Sequence, residues 1–261
     1  MKLSIITVNF NDSKGLERTI ESVINQTFKD YEFIVIDGGS TDESVDIIKQ
    51  YEQYIDYWVS EPDGGIYPGM NKGLRQAKGE YVNFMNGGDC YHSPDVLDKI
   101  FALNSDADII TGTHTGSPHP NLGKDGITLL SLYVGAVDHQ ASFIKRDVAL
   151  RHPYDEKYKI VSDWKFFLEA LILDNCSFYF TDTIVVDVDM NGISNTNSEL
   201  DKKERKLVLE GLFPERILAD YSLLASIHPK MLGIAARISK SQTIMSFVVK
   251  LSKLLLRLKG V

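Results

Sequence analysis

The chain has 261 residues, 43% of them apolar and 25% charged, an ordinary globular balance with length for one sizeable core or two small ones. Its formal net charge is −8, yet seven basic residues and no acidic one follow Asp220, so the body is more acidic than the total. An acidic body excludes a nucleic-acid partner, because a phosphate backbone needs a basic surface. The two cysteines, Cys90 and Cys176, stand in no metal or redox spacing and read as reduced thiols of a cytosolic protein. Met1-Lys2-Leu3-Ser4 runs straight into a strand-like segment, so the expectation is a chain without a signal peptide.

In chain order, Leu3–Val8 is a short β-branched run typical of a buried parallel strand. A helix follows over Lys14–Asn25, with Leu16, Ile20, Val23 and Ile24 on one face. Glu32–Ile36 is a second strand ending at Asp37-Gly38-Gly39. Ser40-Thr41-Asp42-Glu43 then has the form of a capping box opening a helix through Ile47 and Ile48. Tyr57–Val59 is a third strand, Met70–Ala77 a third helix and Tyr81–Met85 a fourth strand, and Ser93-Pro94-Asp95 places a cap and a first-turn proline before another helix. Further strands are expected near Asp108–Thr111 and at Ala141–Ile144, then a helix over Asp163–Leu173 and a strand pair at Phe178–Phe180 and Ile184–Val188. Residues 191–200 read as a polar loop and Asp201–Glu210 as a charged helix. Strands alternating with helices imply an α/β fold with a doubly wound, mostly parallel, Rossmann-like sheet. In such sheets ligands sit beyond the carboxyl ends of the strands, where Thr7–Asn9, Asp37–Ser40, Glu61–Asp63 and Asn86–Asp89 cluster.

Leu3–Asn11 followed by Val35–Asp42 resembles the opening of family 2 glycosyltransferases of the GT-A fold. Ser60-Glu61-Pro62-Asp63-Gly64-Gly65-Ile66-Tyr67, Met70-Asn71-Lys72-Gly73, Asn86-Gly87-Gly88-Asp89, His139-Gln140 and Ser162-Asp163-Trp164 narrow the likeness to the subgroup that builds bacterial exopolysaccharide, capsule and O-antigen, including colanic-acid-type transferases. The resemblance covers residues 1–200 and implies an inverting, metal-dependent transfer from a nucleoside diphosphate sugar, UDP-linked, onto a lipid-linked glycan.

Within that resemblance, Asp37 is suited to accept the ring N–H of a uracil-like base, with helix capping beside Ser40 as the competing role. Asp63 is suited to base or ribose, and Thr7 and Asn9 to lining the same pocket. Lys72 reads as a phosphate contact or as a solvated helix lysine. Asp89 corresponds to the last acidic residue of the family's metal-binding signature, for Mn²⁺ or Mg²⁺; Asn86 and Gly87 stand where other members often carry acids. Asp163 matches the general base, although an anion at a helix N-terminus is a second reading of it. His139 and Gln140 are implied to face sugar or diphosphate, and Trp164 is either a sugar platform or a core tryptophan. Pro68-Gly69 replaces a pair that is Asp-Ala in many relatives, restricting the backbone near Tyr67. The expected organisation is a nucleotide-sugar half over 1–105, an acceptor half over 106–215, and a helical basic tail over 216–261. In that tail Ile244, Phe247, Val248, Leu251, Leu254, Leu255 and Leu258 recur at helical spacing among Lys250, Lys253 and Arg257. Its apolar run is broken by lysines, so the expectation is a peripheral helix on the anionic inner leaflet of the cell membrane, with docking on protein as the alternative. Two rivals are a sugar-nucleotide pyrophosphorylase, whose Gly-rich phosphate loop is missing after the first strand, and a non-catalytic glycan-binding subunit.

Overall fold

The first strand, β1 (Leu3–Asn9), is buried along its whole length, and β2 (Tyr31–Asp37) beside it is buried from Glu32 onward. Both faces of this pair are therefore covered, which is why the strands read as continuous apolar runs rather than as an alternation. In the computed structural model, which describes residues 1–116, 127–189, 197–226 and scattered positions between 243 and 253, the chain divides into two compact units, Met1–Gly211 and Leu212–Val261.

In the first unit one eight-stranded sheet has the order β3-β2-β1-β4-β7-β6-β8-β5. The remaining strands are β3 (Tyr57–Ser60), β4 (Tyr81–Phe84), β5 (Cys90–Tyr91), β6 (Ile109–His114), β7 (Ser142–Lys145) and β8 (Phe178–Asp187). β1 pairs parallel with β2 and β4, and β2 with β3, while β7 lies antiparallel between β4 and β6. β6 and β8 are parallel to each other, and β5 runs antiparallel at the edge.

Alternation along the central strands assigns each face its helices. Leu3, Ile5, Phe33 and Val35 pack with Leu16, Ile20 and Val23 of α1 (Ser13–Ile24) and with Ile48 of α2 (Ser44–Gln50). The opposite face, with Ile6, Val8 and Ile36, receives α3 (Ile66–Gln76) through Gly69 and Gly73. The chain thus winds outward from β1 to β3 and returns through α3 to β4 on the other side of β1. That reversal is the topological switch point, and the crevice beyond it holds the site.

Several local expectations change. Ser40 does not cap a helix; α2 begins four residues later, because the Ser40 hydroxyl donates to Asp37 instead. Ser93-Pro94-Asp95 precedes α4 (Val96–Phe101) without a side-chain cap, the Ser93 hydroxyl donating to the Asp95 carboxylate. α3 starts at Ile66, earlier than Met70, and Pro68 sits in its first turn, where a missing N–H costs nothing. Phe178–Asp187 is one strand rather than two, its pairing with β6 shifting register after Thr111 and again after Thr113. The helix after Val161 is α7 (Ser162–Phe167), and it widens into a π-helical stretch over Leu168–Leu173. Two short helices, α5 (Leu129–Val134) and α6 (Arg146–Arg151), had no clear periodicity, and α8 spans Ser198–Leu212. Most of the polar loop expected at 191–200 lies outside the described residues. In the second unit, α9 (Glu215–Ser226) contains no buried residue.

Close approach of α3 to the sheet depends on Gly73, where an added Cβ would stand 2.4 Å from Cγ2 of the fully buried Ile6. Overpacking of this kind costs about 1–3 kcal/mol, more than the roughly 0.5–1 kcal/mol that alanine gains over glycine inside a helix. Gly73→Ala is expected to lower Tm by a few degrees; a rise in a thermal melt would mean that α3 shifts without cost.

Candidate active site

Register places three polar side chains in one row at the strand ends: Asn9 of β1 opposite Asp37 of β2, and Asp37 opposite Ser60 of β3. Asp37 Oδ1 accepts from Asn9 Nδ2 (3.0 Å) and Ser40 Oγ (2.5 Å), and Oδ2 from the Ser40 N–H (2.8 Å) and Ser60 Oγ (2.6 Å). Burial pushes this carboxyl up, but the Ser40, Ser60 and Asn9 hydrogen bonds bring it below the usual carboxylate range. Four donors fill the acceptor positions of a carboxylate, and Asp37 is fully buried. The expected direct contact between Asp37 and a nucleobase is therefore corrected: the residue ties the three strand ends together and shapes the pocket from behind. Thr7 is corrected likewise, since it is fully buried and its hydroxyl donates to the Met85 carbonyl (2.7 Å), joining β1 to the end of β4.

In front of that network lies a cavity of about 650 Å³ lined by Asn9, Phe10, Gly38, Gly39, Asp63 and Ile66, among others. Gly38 leaves the floor bare, since a Cβ there would stand 3.1 Å from Asp63 Oδ1. Asp63 Oδ1 accepts the Gly65 N–H (3.0 Å), which orients the carboxylate at the start of α3. Phe10, 65% exposed, presents an aromatic face at the rim. Sequence reasoning passed over it, and the available signal was a large aromatic directly after a strand end. Lys72 is paired with Glu61 (3.0 Å) and does not line this cavity.

A second group lies across the switch point. The turn Asn86–Asp89 after β4 is held by α1: Thr19 Oγ1 accepts the Gly88 N–H (3.0 Å) and donates to the Asp89 carbonyl (2.7 Å). Gly88 has φ +98°, and a Cβ there would lie 2.9 Å from Asp189 Oδ2, so glycine is required twice over. Asp89 is 5% exposed, and its Oδ1 accepts the Asp189 N–H (2.8 Å). Burial raises its pKa, and the Asp189 N–H, His139 and Gln140 offset this only in part. Asp189 brings a second carboxylate to the same turn, with Arg18 Nη2 4.0 Å from its Oδ2. Asp189 was missed because it follows β8, which lies three strands from β4 in the sheet and far along the chain from Asp89.

His139 connects this group to Asp163. Its Nδ1 lies 3.1 Å from Asp163 Oδ2 and its Nε2 3.3 Å from Asn86 Nδ2. The Tyr67 hydroxyl lies 2.8 Å from Asp163 Oδ1 and 2.5 Å from the Ile160 carbonyl, its one proton serving both acceptors. Burial pushes Asp163 up, but the hydrogen bond and charge of His139, with Tyr67, pull it below the usual carboxylate range. For His139 burial acts downward and is outweighed by Asp163, Asp89 and Asp138, leaving the imidazole above its ordinary value. The expected sugar platform is corrected: Trp164 is 2% exposed and donates Nε1–H to the Leu132 carbonyl (2.8 Å), so it belongs to the core.

Two features of the Asn86–Asp89 turn fit a hard divalent cation. Asp89 is a buried carboxylate that lacks full compensation, and Asn86 Oδ1 is buried without a hydrogen-bond partner. Among the described residues no three His, Cys, Asp or Glu side chains form a complete metal cage. Mg²⁺ or Mn²⁺ at a diphosphate needs only one or two carboxylates, the phosphates and water completing its shell. Asp89, with the Asp189 carboxylate at the same turn, would be the residues to hold such an ion.

The family model for glycosyl transferase family 2 matches residues 4–125. An uncharacterized glycosyltransferase of Mycobacterium tuberculosis is 32% identical over 203 residues, covering 74% of this chain and 77% of that protein. In fold, the chain is similar to Staphylococcus aureus TarS 1–349 in complex with UDP (TM-score 0.62, 21% identity, 72% of this chain). It spans 60% of that structure, less than two thirds of its length. It is also similar to a mannosyltransferase from Pyrobaculum calidifontis in complex with GDP-Man and Mn²⁺ (TM-score 0.65, 15% identity, 98% of this chain and 80% of that one). With its mixed, mostly parallel sheet and this degree of likeness across three quarters of its length, the chain belongs to glycosyl transferase family 2.

Proposed function

We propose that the protein transfers a sugar from a nucleoside diphosphate donor, UDP-linked, to a hydroxyl of a lipid-linked glycan in bacterial surface polysaccharide synthesis, with inversion at the anomeric carbon. The observation that carries this reading is Asp163, a carboxylate held ionised by His139 and Tyr67 on the same crevice as Asp89. In this mechanism Asp163 takes the acceptor hydroxyl proton as the oxygen attacks the anomeric carbon. The bond from that carbon to the diphosphate breaks on the opposite face, and the nucleoside diphosphate leaves with the electron pair. A cation held by Asp89 and Asp189 would supply charge neutralisation for that leaving group. Phe10 offers a stacking face for the base, and the Asp63 carboxylate accepts a ring N–H, a pattern that suits uracil. The UDP held by the TarS structure supports the choice of nucleotide, and the Mn²⁺ of the mannosyltransferase supports the cation.

On this reading residues 1–105 bind the nucleotide sugar and 106–215 the acceptor. Capsule, O-antigen or related exopolysaccharide is the destination, and the tail holds the enzyme to the inner face of the membrane. Among the described residues no helix is long and apolar enough to cross a bilayer. Ile244, Phe247 and Val249 are exposed, and Lys250 and Lys253 accompany them, as an interfacial helix requires. Part of the apolar series, including Val248, Leu251 and Leu254–Leu258, lies outside the described residues.

Four measurements test the proposal. Asp163→Asn is expected to cut kcat by about 10²–10⁴-fold while a UDP-induced rise in Tm persists; full turnover would leave only a binding role. Asp89→Asn should abolish the added Tm shift that Mn²⁺ gives on top of UDP in a screen of UDP-, GDP- and dTDP-sugars, and an unchanged metal increment would remove the cation from this turn. His139→Gln takes away the hydrogen bond and charge that lower Asp163, so burial then dominates and the acid limb of kcat/KM moves to higher pH; a limb that stays put or moves down would contradict the base assignment. Finally, a chain lacking residues 240–261 should lose flotation with vesicles containing anionic lipid, and equal partitioning would rule out the tail as the anchor.

A further inference from the structure

α8 is an odd helix by composition. Only Glu204 and Val208 are buried on it, with Leu200 and Leu209 half-buried, so a carboxylate is one of the two side chains it sinks deepest. A carboxylate taken out of water is costly unless hydrogen-bonded, and Glu204 is placed where three short contacts are available. Its Oε1 accepts the Lys159 N–H (3.0 Å), and its Oε2 accepts the Lys159 (3.2 Å) and Ile160 (3.0 Å) N–H groups. These two peptide groups lie immediately ahead of α7, which carries Asp163. The carbonyl of the same Ile160 takes the Tyr67 hydroxyl, and that hydroxyl also reaches Asp163. Glu204 therefore holds Ile160 through its N–H, while the carbonyl on the other side of the same residue takes Tyr67, whose hydroxyl reaches the Asp163 carboxylate.

The next residue reinforces the same point. Arg205 sits over the Trp164 ring (4.4 Å to its centroid), holds both Asp201 oxygens through Nε (3.1 Å each), and donates Nη1–H to the Gly135 carbonyl (3.1 Å). Trp164 follows Asp163 directly, and Gly135 begins the segment leading to His139. Both members of the Asp163–His139 pair are thus attached to stretches of backbone that α8 pins down.

We infer that Glu204 is a positioning residue for the base, with α8 as a clamp on the segment ahead of Asp163. The inference rests on Asp163 being the base, and it assigns a role to a helix that lies beyond the residues matched by the family model. A purely structural anchor would lower stability and affect all steps alike. A positioning residue acts on the chemical step alone, since the nucleotide cavity is built from Phe10, Asp63 and their neighbours and has no contact with α8 in its lining.

The test is a double-mutant cycle on release of nucleoside diphosphate from the sugar nucleotide that gives the largest Tm shift among UDP-GlcNAc, UDP-glucose, GDP-mannose and dTDP-rhamnose. Glu204→Ala is expected to lower kcat about 10- to 100-fold. Donor KM should hold within about twofold and the nucleotide-induced Tm rise should remain. In an Asp163→Asn background the same change should cost nothing further, because the group it positions is gone. Glu204→Gln, which keeps one acceptor oxygen and the side-chain volume, should recover part of the rate and serves in place of the alanine variant if that one does not fold. Equal losses with and without Asp163, an effect on KM alone, or unchanged turnover would each overturn the inference. Full activity of Asp163→Asn by itself would instead defeat the base assignment, which is a separate outcome.

Discussion

The contact on which the site depends is the 3.1 Å pair between His139 and Asp163. Burial disfavours the charged form of both groups, and each shifts the other's proton equilibrium toward it. Asp163 is brought below the usual carboxylate range by the imidazole, and His139 is brought above its ordinary value by Asp163 together with Asp89 and Asp138. The two residues arrive from separate stretches of chain, one preceding β7 and one in the first turn of α7. Folding of the second half of the sheet domain is therefore what creates the pair. Asn86 beside the imidazole links it to the turn that carries Asp89, so the Asp163 and Asp89 carboxylates share one electrostatic neighbourhood.

The cavity beyond β1, β2 and β3 is built on a different principle, with charge used as scaffold rather than exposed. Asp37 spends all its hydrogen-bonding capacity on Asn9, Ser40 and Ser60, and the helix-opening serine of the sequence pattern is consumed in the process. What remains for a ligand is a bare glycine floor, the Asp63 carboxylate at the start of α3, and the Phe10 ring. A strand-end aspartate and a solvent-facing one look alike in a sequence. Only the register of β1, β2 and β3, which aligns Asn9, Asp37 and Ser60, reveals that the first has no lone pair left to offer.

This contrast marks how far the sequence alone could be read. The β-branched runs of β1 and β2 and the apolar face of α1 announced the parallel half, because burial on both faces leaves a compositional trace. The second half was harder. β8 looked like two strands because its residues alternate in exposure and its register against β6 shifts, while α5 and α6 are too short to show a period. Asp89, His139, Gln140 and Asp163 were picked out by their motifs and stand near one another in the fold. Thr7 and Trp164 were picked out the same way and turned out to be interior, their polar atoms spent on backbone carbonyls. Asp189 and Glu204 carried no motif at all. Their significance comes from what they touch across the chain, and neither periodicity nor spacing encodes that.

A buried Glu204 is informative because of what it replaces. A helix meant only to cover the sheet would bring an apolar stripe, and each buried aliphatic side chain would contribute about 1.5–3 kcal/mol. α8 instead fully buries a single aliphatic residue, Val208, and beside it places one carboxylate and one guanidinium, both with several hydrogen-bond or ring contacts of defined geometry. Apolar contacts tolerate sliding, whereas a carboxylate gripping two successive peptide N–H groups fixes the position of the backbone it holds. The choice of polar docking thus trades stability for placement, and the segment placed is the one that ends in Asp163.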